Sequence, residues 1–308
     1  MVSTQGYRPR KWETAVQGWT GVAGKRVIIT GATGGIGLAA AQELARRGAH
    51  LSVVARSEAR AAAAVTQITS ADGSPAEVEV LFAELSSQAS IRQLAEEILA
   101  KHPHVDLLIN NAGATYGTRR LSEDGLELTW AVNHIAPFLL TTLLLERIKG
   151  SAPARIVTTS SDAHQLARIP FHDINALLGF RRRGFSRYGE TKLANILFTR
   201  ELAHRLEGSG VTANCFHPGF VATGFNRNNG RLMAFGMTLA RPFARTPTQG
   251  ADTLVWLADA PEVSSESGGY FANRRRIQPS AAARDEETAR RLWQLSEEQT
   301  GMRGSAGT

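Results

Sequence analysis

Arg26-Val27-Ile28-Ile29-Thr30-Gly31-Ala32-Thr33-Gly34-Gly35-Ile36-Gly37 is the stretch that decides the fold. Its first five residues are a short, β-branched, mostly apolar run, the pattern of a strand covered on both faces. It passes without a spacer into a loop holding Gly31, Thr33, Gly35, Ile36 and Gly37. A helix is predicted over 38–47, stopped by Gly48. A strand, a glycine loop and a helix in that order let a phosphate approach the backbone. The helix start then supplies free N–H groups and the positive end of its dipole. The spacing is Gly-x-x-x-Gly-x-Gly, and a turn with no ligand is the plain alternative.

Working outward, 51–56 reads as a second strand ending at Arg56, with no acid beside it. An acid there would bond a ribose 2′-hydroxyl and repel a 2′-phosphate, whereas an arginine pairs with the phosphate. NADP(H) is therefore expected over NAD(H); a surface arginine at a strand end is the alternative. A helix over 58–69 and a strand over 77–84 follow, the latter running into Glu84 and Leu85. Next come a helix over 91–101 and a strand over 105–109 that ends in Asn110-Asn111-Ala112-Gly113. Strand and helix alternate with no sign of a hairpin. This predicts an α/β fold, one doubly wound parallel (Rossmann) sheet with helices on both faces. Ligands then bind at the carboxyl ends of the strands, where the glycine loop, Arg56, Glu84 and Asn111 all fall.

A long helix is predicted over 126–149, with Asn133 in its first half, and a fifth strand over 154–159 opens into Ser160-Ser161-Asp162-Ala163-His164. A helix over 187–206 carries Tyr188 and Lys192. Four residues apart, these two side chains share one helix face. A nearby ammonium favours the phenolate, which fits the tyrosine for acid/base work, although the spacing alone occurs on many helices. The sixth strand ends in His217-Pro218-Gly219. The segment 224–246 is a candidate substrate lid, and a helix over 248–258 and a short strand near Gly269-Tyr270-Phe271 complete the sheet. Residues 1–23 read as an extension, 24–280 as the single domain, and 281–308 as a tail with one helix over 285–299.

The chain has 308 residues and a formal charge of +7. The basic excess is scattered arginine, with runs at Arg181-Arg182-Arg183 and Arg274-Arg275-Arg276. A site for a phosphorylated cofactor accounts for it better than nucleic acid does. The one cysteine, Cys215, allows no intrachain disulfide and reads as a small packing residue in a strand, in keeping with a cytoplasmic protein. No apolar run reaches the ~18 residues of a membrane span. The longest candidate, 135–148, reads as a buried helix.

Taken together, Thr30-Gly31-x-x-x-Gly35-Ile36-Gly37, Asn110-Asn111-Ala112-Gly113, Asn133, Ser161, Tyr188-x-x-x-Lys192 and Pro218-Gly219 resemble the short-chain dehydrogenase/reductase family, in the family's own order over about residues 24–275. Val132-Asn133-His134-Ile135-Ala136-Pro137, Lys192-Leu193-Ala194-Asn195 and Ala289-Arg290-Arg291-Leu292-Trp293 are similar to the branch of retinol dehydrogenases and WW-domain oxidoreductases. The resemblance implies an NADP(H)-dependent oxidoreductase with a small-molecule carbonyl or alcohol as substrate and no metal. It implies Tyr188 as acid/base, Lys192 lowering its pKa and bonding the nicotinamide ribose, Ser161 holding the substrate oxygen, and Asn133 anchoring a water that relays protons. Ser160 is the rival for the serine role. Gly31, Thr33, Gly35, Ile36 and Gly37 would hold the pyrophosphate. Arg56, Glu84, Leu85, Asn111, Ala112 and Gly113 would line the adenosine. Pro218, Gly219, Val221 and Thr223 would meet the carboxamide. His164 reads as loop packing. Phe171, Phe180, Phe185, Phe225, Met233, Phe235 and Met237 suggest an apolar, bulky substrate such as a steroid, retinoid, polyketide or aromatic ketone. The resemblance also implies a homodimer or homotetramer through the helix of Tyr188, on Leu193, Ile196, Leu197 and Leu202. A binding protein of the same fold without catalysis is the alternative, and intact Tyr188, Lys192, Ser161 and Asn133 speak against it.

Overall fold

The computed structural model describes residues 18–70, 77–180, 184–221 and 244–302. Among these, the strands β1 (Arg26–Thr30), β2 (His50–Ala55), β3 (Val78–Phe82), β4 (Leu107–Asn110), β5 (Ala154–Thr159), β6 (Val211–Phe216), β7 (Tyr270–Ala272) and β8 (Arg275–Ile277) form one sheet in the order β3-β2-β1-β4-β5-β6-β7-β8. β1 to β7 pair in parallel, so the α/β doubly wound fold read from the strand–helix alternation is the fold of the chain. The strand order reverses between β1 and β4, which opens a crevice at their carboxyl ends.

Alternation along the strands sorts the core. Val27 and Ile29 of β1 face α1 (Gly35–Arg46) and α7 (Pro247–Asp259). Ile28 points the other way, toward α3 (Gln88–Lys101), α5 (Ala136–Gly150) and α6 (Phe185–Arg205). α2 (Glu58–Thr69) joins β2 to β3. β1, β4 and β5 are buried almost end to end, as strands covered on both faces must be.

Three features depart from the sequence reading. β7 and β8 form an antiparallel hairpin at the sheet edge, where only a single short strand was expected. Its turn, Asn273-Arg274, holds both residues at positive φ, +49° and +56°, and so lacks the glycine that usually marks such a turn. The long helix expected over 126–149 is broken. A single turn, α4 (Leu128–Trp130), widens into a π-helical segment, Ala131–Ile135, before α5 begins. The helix after the glycine loop starts at Gly35 rather than 38, so Gly35 and Gly37 lie inside its first turn. Leu128–Gly150 is also the one stretch among the described residues long and apolar enough to cross a membrane. Of its most apolar window, 78% is buried inside the fold.

The segments set apart as extension and tail belong to the same body where they are described. Trp19 and Val22 are buried in the α1–α7 core, and Val22 N–H donates to Asp259 Oδ1 at 2.9 Å. The last helix, α8 (Glu286–Thr300), lies along α6. Trp293 stacks on Phe198 with ring centroids 5.9 Å apart and meets Phe138 edge-on at 5.0 Å. Ala289 and Leu292 pack with Leu193, Ile196 and Leu197. This overturns the expected dimer face. Leu193, Ile196 and Leu197 are 0% exposed and Leu202 1%, all within one chain, so no apolar surface remains on them for a partner subunit.

Candidate active site

The glycine loop is built by close approach. Gly31 has φ +71°, and a Cβ there would fall 2.8 Å from Ala112 Cα. A Cβ on Gly37 would fall 2.3 Å from Gly31 O and 2.4 Å from Asn111 Nδ2. α1 can therefore sit over the end of β1 only if that position stays glycine. Asn111 is the staple. Its Nδ2 donates to Thr30 O and Gly31 O, both at 3.2 Å, and its Oδ1 accepts from Thr159 Oγ1 at 3.3 Å. Its side chain thus ties the ends of β1, β4 and β5 together, leaving Ala112 and Gly113 to present backbone to the crevice. Gly34 caps α1 with no side-chain bond to its first-turn N–H groups. Those donors, and the absence of any Cβ at Gly31, Gly35 and Gly37, fit a pyrophosphate. Ile36 and Val221 both close on Gly250 of α7, where a Cβ would lie 3.1 and 2.7 Å from their side chains. Arg56 and Glu84 stand at neighbouring strand ends, Nη1 to Oε2 3.8 Å apart and both about half exposed. Leu85 packs on the α3 core. Pro218 and Gly219 follow β6, with Pro218 O accepting from Arg245 Nη1 at 3.2 Å. Thr223, Phe225, Met233, Phe235, Met237 and most of the proposed lid, together with Arg181, Arg182 and Arg183, lie outside the described residues.

The proton chemistry sits one strand over. Gly189 follows Tyr188 near the start of α6, and a Cβ there would fall 2.6 Å from Ala163 O. This glycine lets α6 press its Tyr188 turn against the loop after β5. The Ser161 hydroxyl bonds to the Tyr188 phenol and accepts Ala163 N–H at 3.2 Å. Ser160 turns inward instead, donating to Lys192 O at 2.8 Å while 1% exposed. Lys192 is 2% exposed; its Nζ donates to Thr159 O at 3.0 Å and lies 5.5 Å from the Tyr188 ring centroid. Asn133, in the π segment, is fully buried. Its Oδ1 accepts Ala114 N–H at 2.7 Å, and its Nδ2 donates to Ala114 O at 2.9 Å and Thr191 Oγ1 at 3.1 Å. A Cβ on Gly113 would stand 3.5 Å from both Asn133 Oδ1 and Lys192 Nζ, so the three residues frame one small space. π segments recur at functional sites because the wider turn re-aims a side chain.

Burial sets the charges. It pushes the Tyr188 phenol up to about 12, with the Ser161 hydrogen bond pulling the other way. It pushes the Lys192 ammonium down to about 8. The expected lowering of Tyr188 by Lys192 is not seen: desolvation raises the phenol, and the lowering comes from the Ser161 hydroxyl. Lys192 binds its proton less tightly folded than unfolded. Between pH 8 and 10.5 the unfolded chain holds more protons, so the stability of the free protein rises with pH across that window. Lys192→Met is expected to stabilise the free protein by about 3 kcal/mol at pH 7, since Asn195 Nδ2 still serves Thr159 O at 3.1 Å. The gap from wild type should close as pH climbs past 8 toward 10.5. Urea midpoints of the two proteins from pH 7 to 10 check this; a gap that does not narrow refutes it.

Sequence reasoning missed the group that seats Tyr188. Arg187 and Glu127 are 2% and 0% exposed and paired at 2.8 Å, Nε to Oε2. Arg187 also bonds Glu190 Oε2 at 2.9 Å and Ile174 O, and stacks over Trp130 at 4.8 Å. A charge on the apolar side of a helix start was the available signal. His164 is buried, its ring between Ser161 O and Ser280 N, as loop packing requires. Cys215 is buried in β6, its thiol pushed up to about 12, consistent with packing.

Residues 25–232 match the family model described as short chain dehydrogenase. Mouse retinol dehydrogenase 12 is 44% identical over 283 residues, covering 91% of this chain and 88% of that protein. A solved structure of an uncharacterised protein from Mycobacterium paratuberculosis superposes with TM-score 0.72 at 31% identity, over 92% of this chain and 98% of the other. A Burkholderia cenocepacia short chain dehydrogenase in complex with NADP gives TM-score 0.65 at 25% identity, over 86% and 99%. The glycine loop, the Tyr188-Lys192 helix and these likenesses place the chain in the short-chain dehydrogenase family, as a retinol dehydrogenase-like oxidoreductase.

Proposed function

We propose that this protein interconverts a carbonyl and an alcohol on a fairly apolar substrate with NADP(H), Tyr188 exchanging the proton at the substrate oxygen. The observation that carries this is the hydrogen bond between the Ser161 and Tyr188 hydroxyls beside a buried Lys192. Two hydroxyls that reach each other also reach one oxygen placed between them. Tyr188 then gives that oxygen a proton in reduction and takes it back in oxidation, while Ser161 donates a hydrogen bond as charge develops there. Lys192 and Asn133 hold the polar side of the space next to Gly113, where a cofactor ribose or a relaying water fits. The nicotinamide, when bound, supplies or accepts the hydride. The name of the mouse relative supports an apolar alcohol or aldehyde as substrate.

Arg56 carries the preference for the phosphorylated cofactor, supported by the exposed guanidinium at the β2 end and by the NADP-bound Burkholderia structure. Arg56→Ala is expected to raise KM for NADPH about tenfold, the loss of one charge-assisted pair, and to leave NADH nearly unchanged. A panel of ketones and aldehydes assayed with both cofactors tests the reading. Equal effects on the two cofactors would overturn the role of Arg56.

A further inference from the structure

Beside Ser161 lies a polar group that the proton chemistry does not use. It joins Asp162 and His164 after β5, His217 after β6, and Tyr270 of β7. Their protons can be assigned. His164 Nδ1 lies 2.8 Å from Ser161 O, which only accepts, so Nδ1 carries the hydrogen and Nε2 receives Ser280 N–H at 3.2 Å. The Tyr270 hydroxyl is 3.5 Å from both His164 Nδ1 and Asp162 Oδ1, and of the two only the carboxylate can accept its proton. On the other side, Gly219 N–H donates to His217 Nδ1 at 3.2 Å. Burial lowers the His217 pKa against the pull of Asp162, with the Arg245 charge adding to the lowering, so its ring is neutral. Its hydrogen then sits on Nε2, 3.3 Å from the same Asp162 Oδ1.

The Tyr270 hydroxyl, as donor, and the His217 ring, as a polar contact, both lie beside Oδ1, at 3.5 and 3.3 Å. Among the described residues no hydrogen bond reaches Oδ2, and the Asp162 side chain is 62% exposed against 12% for His217. A carboxylate thus has one oxygen beside Tyr270 and His217, from two neighbouring strand ends, and the other open, next in sequence to the serine that would hold the substrate oxygen. The same loops also carry Leu166 and Phe220, 92% and 50% exposed, as apolar surface. We propose that Asp162 Oδ2 is a specificity subsite that accepts a hydrogen bond from a second hydroxyl of the substrate. The preferred substrates are then hydroxy-carbonyl compounds and diols with an otherwise apolar body. The inference rests on the carbonyl–alcohol reading above. The Arg245 guanidinium, held near His217 by Pro218 O and Asn273 Oδ1, opposes a cationic donor in the same place.

The test uses isosteric pairs, hydroxyaryl ketones and their fluoro analogues, with the substituent walked away from the carbonyl. For each pair the kcat/KM ratio, hydroxy over fluoro, is measured with NADPH in wild type, Asp162→Ala and Asp162→Asn. At the best-placed position wild type should favour the hydroxy member by about tenfold or more, since a site built around a hydroxyl rejects the analogue lacking it. Asp162→Ala should bring the ratio to near one, and Asp162→Asn, which keeps an acceptor oxygen, should restore part of it. A purely structural Asp162 would lower both members alike and leave the ratio intact, which overturns the subsite, as does a wild-type ratio near one at every position. Failure of the underlying reading looks different: Tyr188→Phe would then turn over both members at wild-type rates.

Discussion

Tyr188→Phe is expected to lower kcat about a thousandfold on every accepted substrate, the usual scale for removing a positioned general acid or base. The ring stays. It keeps its contact with Phe185, centroids 6.3 Å apart, and with Lys192. Ser161 Oγ still accepts Ala163 N–H, so the substitution leaves no buried hydroxyl without a partner. Fold and NADPH affinity should therefore be retained, and the loss should fall on kcat. Steady-state rates with NADPH fluorescence titration separate the two. Turnover within a few-fold of wild type would remove Tyr188 from the proton chemistry.

The largest stability effect belongs to Arg187→Met. This substitution leaves Glu127 fully buried with no cation, at a typical cost of about 3–5 kcal/mol. It also removes the bonds to Glu190 and Ile174 and the stacking on Trp130. Glu127 retains the N–H groups of Thr129 and Trp130, each at 3.0 Å, which places the cost toward the lower end of that range. A fall in Tm of about 10 °C is expected for a domain of this size. Glu127→Gln together with Arg187→Met should cost less than the sum of the two singles, because both remove one interaction. Additive losses in thermal or urea unfolding would show the pair to be uncoupled. Since the arginine lies next to Tyr188, kcat should drop as well.

The sequence made the half of the fold before β5 legible because burial on both sheet faces leaves apolar runs, and glycines mark where backbones must touch. β1 and the glycine loop could be placed from Val27, Ile28, Ile29 and the glycines after Thr30, with α1 beginning three residues earlier than expected. The hairpin of β7 and β8 stayed hidden because Asn273 and Arg274 adopt the positive φ that normally calls for glycine. The π segment was invisible for another reason. Ala131, Val132, His134 and Ile135 are all buried, so no polar stripe reports the change in helical period. The residues of the candidate site stood out by type, but their environments did not. The raised Tyr188 and lowered Lys192 pKa values come from surrounding bulk that is distant in sequence. The apolar residues of α6 were legible as buried, but not what buries them, because Trp293 and Leu292 reach them from the far end of the chain.

That last contact sets a rule for how the protein comes into being. During synthesis α6 leaves the ribosome on the order of seconds before α8 does. Until then Leu193, Ile196, Leu197 and Phe198 lack the cover of Ala289, Leu292 and Trp293, and the helix that presents Tyr188 and Lys192 carries a partly open greasy flank. A nascent chain at that stage is a natural client for a chaperone and a natural victim of aggregation. The pair that defines the chemistry is translated before the helix that covers its flank, so a message cut short before the codons of α8 encodes every residue of the candidate site and leaves that flank bare.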